Sequence, residues 1–410
     1  MNITIDSKEF KKILAKFKKI TPKKPHLPSL GMIKLETKEG NLNVFGTNLD
    51  VWAQATMSCT VNEAGGVCLN PYEMLTYLKD VKGNITLSLA DVGRYKISNE
   101  GISFQVSAIN TEDYPVMPVV HSTQQIVMPV VHSTQQIVLD SELLQDVFKK
   151  CCVHVKPKDR YDEPLGCIFL EIGTDFTQAT ATNTFRLFNM KRPITSQSNK
   201  IAMLIPPKRL YSLLDFIKEN KQVTLQVDQE NLCINFQSGD FVGGFRLVKG
   251  QYPNVQEVIT SEIGQTIELD SKQLIQALKP MEFLGKEYLN NLGYVRFIFR
   301  DSIFSVEGWS YKDGNVSNTK IGIESKTEPF EFNINPVFVL QGLESLDSNK
   351  IILKIPKNEI NSSRLFENEK GDLALIMTIR DLEEETPEET NEENVDEPEE
   401  ESNEKSEIEN

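Results

Sequence analysis

The stretch Ile5–Ile20, IDSKEFKKILAKFKKI, occurs three times along this chain in changed form. Each copy has an apolar strand end, then Asp-Ser, then apolar residues at helical spacing. The other copies begin at Leu139-Asp140-Ser141 and at Leu269-Asp270-Ser271. Because Asp and Ser are preferred at helix N-caps, each copy predicts a strand followed by a helix. The copies lie about 130 residues apart, which predicts three repeats of one structural unit.

A second set of three prolines supports the same period. Pro71, Pro207 and Pro336 each begin an apolar helical stretch, and proline is favoured in the first turn of a helix. Each predicted helix leads to a strand, and alternating apolar residues elsewhere predict further half-buried strands. These strands are Ile85–Leu89, Val223–Val227, Ile351–Ile355, Asn41–Val51, Asn231–Phe236 and Tyr294–Val306. The sequence therefore predicts an α+β fold with two helices per unit backing antiparallel sheets.

The repeats divide the 410 residues into domains. We predict domains at 1–120, 138–260 and 261–380, with a linker at 121–137. An exact tandem duplication, VMPVVHSTQQI at Val116–Ile126 and again at Val127–Ile137, falls at this linker. An insertion within a sheet would shift its register, so a connection is the expected place for it. Residues 381–410 have few apolar side chains and are predicted to be a disordered acidic tail.

The net charge of −15 is confined to that tail. Asp381–Asn410 contains 16 acidic residues and one basic residue, which leaves 43 acids and 43 bases in residues 1–380. The folded part is therefore neutral overall, and its charge does not exclude binding to nucleic acid.

The sequence gives little sign of catalytic or metal chemistry. Its six cysteines form no CxxC pair and its four histidines have no ligand spacing, so we predict neither a metal nor a cofactor. It contains no phosphate-binding loop, no HExxH and no GxSxG, so we predict a protein that is not an enzyme. No stretch reaches 18 consecutive apolar residues, and unpaired cysteines favour a reducing compartment, so we predict a cytoplasmic protein without a membrane span.

Six short motifs follow one another at regular positions within these repeats. They are Pro25-His26-Leu27-Pro28-Ser29-Leu30, Phe45-Gly46-Thr47-Asn48-Leu49-Asp50, Glu112-Asp113-Tyr114-Pro115, Ala181-Thr182-Asn183-Thr184-Phe185-Arg186-Leu187, Gly250-Gln251-Tyr252-Pro253 and Met377-Thr378-Ile379-Arg380. In order and spacing they resemble the motifs of the beta sliding clamps of bacterial DNA polymerase III. The resemblance covers about residues 1–380. It implies a homodimeric ring of six clamp domains, with helices lining the pore and sheets forming the outer wall.

The predicted helices also carry basic side chains that suit such a pore. Lysine and arginine contact phosphates without reading sequence, although lysines on a helix are also typical of ordinary solvated surface. Together with the resemblance, these positions imply contacts to double-stranded DNA. The predicted contact residues are Lys11, Lys12, Lys24, Lys149, Lys150, Lys156, Lys158, Arg160, Lys208 and Arg209.

The resemblance also implies two protein-binding surfaces. One is a groove between the second and third domains that binds short apolar peptides of partner proteins. Its predicted residues are Leu165, Thr182, Thr184, Phe185, Arg186, Leu187, Pro253, Val258, Leu375, Ile376, Met377, Thr378, Ile379 and Arg380. Thr184-Phe185 and Thr378 depart from the family motifs, which implies a narrower or more aromatic groove. The other surface is the ring interface, where Phe104 would pack against Phe283 and Leu284 of a second copy.

The function implied is a sliding clamp that tethers the replicative polymerase to DNA at the nucleoid. Its implied partners are a polymerase subunit, a clamp loader and other proteins with clamp-binding motifs. Two alternatives stay open on the sequence. One is a clamp-fold scaffold that no longer closes a ring, and the other is an accessory factor that binds DNA directly.

Overall fold

The structure is a computed structural model that describes residues 1–115, 135–155, 163–194, 200–259, 262–285, 293–310, 312, 314–357 and 363–379. Within these ranges, three successive repeats each place two helices against antiparallel strands. The predicted α+β class and the repeated architecture are confirmed. Lys156, Lys158, Arg160, Arg380, most of the predicted linker and the whole predicted tail lie outside the described residues.

The first repeat contains nine strands and two helices. Four apolar residues of the first helix and the turn that follows it, Phe10, Leu14, Phe17 and Ile20, are fully buried, as their helical spacing predicts. The elements are β1 (Asn2–Asp6), α1 (Ser7–Phe17), β2 (Ile33–Lys38), β3 (Asn41–Thr47), β4 (Val51–Ser58), β5 (Thr60–Glu63), β6 (Gly66–Leu69), α2 (Pro71–Tyr77), β7 (Asn84–Asp91), β8 (Arg94–Asn99) and β9 (Ile102–Ile109).

The second repeat includes the last residues of the predicted linker. Its first strand starts at Gln135, inside the second duplicated copy, because this strand pairs with the strand at 222–228 over its whole length. The elements are β10 (Gln135–Asp140), α3 (Ser141–Cys151), β11 (Ile168–Ile172), β12 (Phe176–Thr182), β13 (Arg186–Pro193), β14 (Ile201–Ile205), α4 (Pro207–Ile217), β15 (Gln222–Asp228), β16 (Cys233–Ser238), β17 (Phe241–Arg246) and the one-turn helix α5 (Gln256–Ile259).

The third repeat is built around a long hairpin. Its two long strands pair from Val295 with Ile334 to Ser310 with Gly314, with shifts of register between. The elements are β18 (Ile263–Asp270), α6 (Ser271–Leu278), β19 (Gly293–Ser310), β20 (Gly314–Ile334), α7 (Pro336–Leu346), β21 (Lys350–Pro356), β22 (Ser363–Glu367) and β23 (Leu373–Ile379).

The repeated Asp-Ser pair fixes the start of the first helix in each repeat. The carboxylates of Asp6 and Asp270 accept backbone N–H groups of the first helical turn, whereas Asp140 occupies the same position without such a bond. The serine backbone N–H groups tie the helix start to the loop after the second helix: Ser7 to Gly83 O, Ser141 to Lys221 O and Ser271 to Asn349 O.

The repeats join through both layers of the fold. The helices contact one another in the order α2, α1, α4, α3, α7, α6, which forms one row along the chain. The strands continue from the first repeat to the second where β4 pairs with β17, and from the second to the third where β13 pairs with β23. We call these two places the first and the second junction.

Candidate functional site

A tight turn at the second junction presents the side chain of Phe185. The hydroxyl of Thr182 donates to the carbonyl of Arg186 (2.7 Å). The amide oxygen of Asn183 accepts the N–H groups of Phe185 and Arg186 (3.1 Å each). The carbonyl of Phe185 then accepts the N–H of Met377 in β23 (2.8 Å). These bonds lock the turn to the next repeat and leave the Phe185 side chain 46% exposed.

An apolar cluster lies beside this turn, and we call it the junction cluster. Side chains alternate across a strand, so Leu375 and Met377 of β23 join this cluster while Ala374 and Ile376 pack into the main core. The prediction that Ile376 lines the groove is therefore wrong. The junction cluster consists of Leu187, Val255, Ile259, Leu365, Leu373, Leu375 and Met377.

Four members of the junction cluster were missed by the sequence analysis: Val255, Ile259, Leu365 and Leu373. Val255, just before α5, and Ile259, at its end, are four residues apart. They therefore lie on the same face of the helical turn, and both pack on the junction cluster. Val258, between them, points away and is 43% exposed. Of the other predicted groove residues, Pro253 and Thr184 are exposed, while Leu165, Thr378 and Ile379 are half-buried.

The side chain of Arg186 lies beneath the groove instead of lining it. It is only 7% exposed, and its guanidinium stacks 4.5 Å from the ring centre of Phe338 in α7. The same guanidinium donates to the carbonyl of Val153, just after α3, and to the side chain of Gln341 in α7. Arg186 therefore supports the turn from below by linking the two repeats, and it presents no charge at the surface.

A buried ion network also crosses the second junction. Asp372 is fully buried and bonds both Arg192 (2.7 Å) and Lys150 (3.4 Å). Burial favours the neutral acid, but these cationic partners hold the pKa of Asp372 below its ordinary value. Lys150 is 4% exposed, so its predicted contact with DNA is wrong. Nearby, burial and the charge of Arg186 lower the pKa of His154 well below its ordinary value.

The first junction has the same backbone design with different side chains. Asn48 accepts the N–H groups of Asp50 and Val51 (3.1 and 2.8 Å), and the carbonyl of Asp50 accepts the N–H of Arg246 (2.9 Å). Asp50 thus occupies the position of Phe185, and Arg246 that of Met377. Asp50 is paired with Arg209 (3.3 Å). A charged surface at the first junction therefore corresponds to an apolar one at the second.

The predicted DNA-contact residues differ in how available their charges are. Lys24, Lys149 and Lys208 are exposed, and no acidic partner lies beside them in the part of the chain that is described. The ammonium of Lys12 pairs with Glu9 (2.8 Å) at the surface. Lys11 is half-buried and donates to the carbonyl of Val81 (2.9 Å). The guanidinium of Arg209 is engaged at the first junction, as described above.

Two family models match this chain. Residues 1–118 match the model described as DNA polymerase III beta subunit, N-terminal domain. Residues 138–254 match the model of the central domain of the same subunit, and the two matches together cover more than half of the chain. The chain belongs to the DNA polymerase III beta subunit family.

Known members of the beta subunit family are distant in sequence and close in fold. The beta sliding clamp of Buchnera aphidicola is 24% identical over 388 residues, covering 93% of this chain and 100% of that protein. That of Chlamydia muridarum is 21% identical over 347 residues, covering 84% and 90%. The crystal structure of the DNA polymerase sliding clamp of Bacillus subtilis has a TM-score of 0.81 at 17% identity, covering 93% and 99%.

The beta subunit resemblance predicted three interface residues, and the structure separates them. Phe104 in β9 is half-buried and stacks on Tyr77 of α2, which is 43% exposed (ring centres 4.9 Å apart). Phe283 is 48% exposed. Leu284 is fully buried in the core of its own repeat, where it packs close to Gly308, so its predicted contact with a second copy is wrong.

Two searches of the described residues gave negative results. No group of three His, Cys, Asp or Glu side chains there is arranged to hold a metal ion. Among the helices described for this beta subunit family member, none combines the length and the apolar character that crossing a bilayer requires.

Proposed function

We propose that two copies of this chain close a ring around duplex DNA and act as a non-catalytic sliding clamp for the replicative polymerase. The observation that carries this proposal is a pair of strand edges left over after the two internal junctions have formed. These edges lie on β9 in the first repeat and on β20 in the third. Such a clamp works in the cytoplasm, at the nucleoid.

The last strand of each repeat has the same surroundings. Each of these strands, or the residues just after it, pairs only briefly with the strand that precedes the second helix. The pairs are Cys68–Ile109 for β9, Leu204–Val248 just beyond β17, and Asn333–Ile379 for β23. Outside this short pairing, β17 is hydrogen-bonded to β4 of the preceding repeat, and β23 is hydrogen-bonded to β13 of the preceding repeat. In β9, residues 102–107 pair with β8 on one side, and the described residues place no strand on the other.

The third repeat supplies the matching edge. β4 and β13, each the fourth strand of its repeat, donate an edge to the neighbouring repeat. The corresponding part of β20, residues 314–322, pairs with β19 alone among the described strands. Unpaired strand edges favour pairing with another chain. Pairing β20 with β9 of a second copy, twice over, closes six repeats into a ring and brings α6 next to α2 of the other copy.

The exposed lysines suit the inside of such a ring. Contacts between lysine and phosphate are independent of base sequence and weaken with salt, so they allow a protein to slide. The ring, and not the affinity of these contacts, then keeps the protein on DNA. Lys24, Lys149 and Lys208 are the described residues that we propose for this role, with Lys12 adding a contact whose charge Glu9 partly offsets.

Retention on DNA without free ends tests the proposal. The clamp is placed on a nicked circular plasmid with a clamp loader, and half of the sample is then cut once to make it linear. We expect the circular DNA to hold the protein through gel filtration in high salt, and the linear DNA to release it. Equal retention on both forms would favour an accessory factor that binds DNA directly, and loss from both would favour an unclosed scaffold.

We further propose that the junction cluster and Phe185 bind short apolar peptides of the polymerase subunit, the clamp loader and other partners. Apolar anchors buried in a pocket dominate such interfaces. The comparison of the two junctions supports this proposal, because the same turn carries Phe185 at the second junction and a paired Asp50 at the first. Each chain then offers one peptide groove.

The substitution Phe185→Asp gives the second junction the residue type of the first. We expect it to weaken binding of a synthetic peptide with adjacent leucine and phenylalanine side chains by about tenfold or more, since an apolar anchor contact is lost. Calorimetric titration measures the change. Leu49→Glu is the matched control, because Leu49 is 52% exposed in the equivalent turn of the first junction. Equal losses in both variants would place peptide binding elsewhere.

A further inference from the structure

We propose that the acidic segment Asp381–Asn410 is an intramolecular competitor that occupies the exposed lysines of this protein when DNA is absent. This inference rests on the proposed function, in which those lysines contact phosphates. The segment contains 16 acids and one base, whereas residues 1–380 are neutral. The net negative charge of the molecule therefore lies in this segment, which follows the last strand of the fold.

Lys149 lies within the reach of this segment. The last described residue, Ile379, is three residues beyond Ile376, which pairs with Arg186 in β13. The guanidinium of Arg186 bonds the carbonyl of Val153, which follows Lys149 by only four residues. Lys149 is exposed in the last turn of α3. A chain of 30 residues spans up to about 100 Å when extended, so the segment reaches Lys149 easily.

The segment competes for basic charges that are not already paired within the fold. At the first junction, Lys16 pairs with Glu219 and Lys19 pairs with Asp215 (2.5 Å each), so these charges are already compensated. Lys24, Lys149 and Lys208 are exposed without an acidic partner in the described ranges. The 16 carboxylates of the segment outnumber these three lysines.

Tethering makes the competition effective. A segment joined to the fold by a short connection has an effective concentration on the order of millimolar near its root. Carboxylates and phosphates both displace counterions from lysine, so the segment and DNA compete electrostatically. Salt screens these interactions, so the effect of the segment weakens as the salt concentration rises. The segment would therefore weaken the binding of DNA that the protein contacts without encircling it. A closed ring would keep its hold, because its retention does not depend on those contacts.

The test compares the full chain with a chain ending at Arg380 and with a full-length variant whose 16 tail acids are replaced by Gln or Asn. Fluorescence anisotropy with a short labelled duplex measures the affinity. At about 50 mM salt we expect both altered chains to bind about tenfold more tightly than the full chain, and the gap should close as salt rises. Equal affinities at every salt concentration would overturn the proposal.

A coupling experiment locates the contact. In the chain ending at Arg380, Lys149→Ala should remove part of the gain in affinity, whereas Lys96→Ala, at an exposed lysine on β8, should leave the gain intact. Loss of the gain in both variants, or in neither, would contradict a contact at Lys149.

The retention assay on circular DNA separates this idea from the proposed function. If the full and the shortened chains are both held on circles and released from linear DNA, yet bind the short duplex equally, the competitor proposal fails and the clamp stands. If neither chain is held on circles, the proposed function fails. If shortening changes only the affinity for the loader or the polymerase, the segment binds a basic protein instead, which also overturns the proposal.

Discussion

Replacing Asp372 with alanine is expected to lower the free energy of unfolding by about 3–5 kcal/mol, because it leaves buried cations without their partner. Asp372 is fully buried and holds both Lys150, 4% exposed, and Arg192 across the second junction. Its loss removes the counter-charge of the Lys150 ammonium inside the fold. Urea unfolding followed by circular dichroism measures the change, and the transition that includes the second and third repeats should move to lower urea.

The matched control is Glu268→Ala in the third repeat. Glu268 pairs with Lys350 at the surface, where both side chains are more than half exposed. An exposed pair contributes less than about 1 kcal/mol, so this variant should unfold almost as the unaltered protein does. Similar losses in the two variants would mean that the buried network does not hold the junction together.

The same network gives a pH dependence of defined sign. The pKa of Asp372 is lower in the folded state than in the unfolded chain, despite burial, because its cationic partners stabilise the carboxylate. The stabilisation is therefore complete above the unfolded carboxyl pKa of about 4 and is lost as pH falls through the folded pKa. The difference in stability between the unaltered protein and Asp372→Ala should shrink over that range.

The substitution Phe104→Glu is expected to weaken the association of two copies by about 100-fold or more, which corresponds to about 2.7 kcal/mol. Phe104 lies on β9, and the edge of β9 that no described strand covers is the proposed ring contact. The side chain of Phe104 stacks on the half-exposed ring of Tyr77. A carboxylate placed there must be desolvated when the partner strand approaches. Sedimentation velocity over a range of concentrations measures the dissociation constant.

Two further variants keep this test decisive. Ile102→Glu changes a side chain on the same strand that is 53% exposed, so it should weaken the dimer without disturbing the fold. Val138→Glu is the control, because Val138 is 47% exposed on β10 of the second repeat, away from the proposed contact. If all three variants form dimers as well as the unaltered protein does, β9 is not the ring interface.

Periodicity in the sequence was enough to predict the repeats and their elements. Asp-Ser at a helix start and proline in a first turn act locally, through backbone groups within a few residues, and the structure places helices at all six predicted positions. The apolar spacing of Phe10, Leu14 and Phe17 predicted their burial for the same reason. Strand boundaries were less accurate: the predicted strand Asn41–Val51 is interrupted by the turn at Asn48.

The partners of individual side chains could not be predicted in this way. Lys149 and Lys150 are neighbours in sequence, yet one is exposed and the other pairs with Asp372 of a different repeat. Ile376 and Met377 face opposite sides of β23. Only the tertiary structure shows that Ile376 packs into the main core and that Met377 packs on the junction cluster.

The sequence by itself determined three repeats of an α+β unit, the helix starts and the concentration of acidic charge in the last 30 residues. All of these depend on local backbone preferences or on composition. Only the tertiary structure decided that the second junction is apolar at its surface and ionic inside, and that no described strand pairs with one edge of β9 or of β20. The physical reason is that burial and strand pairing are set by residues more than 100 positions apart, which no local pattern encodes.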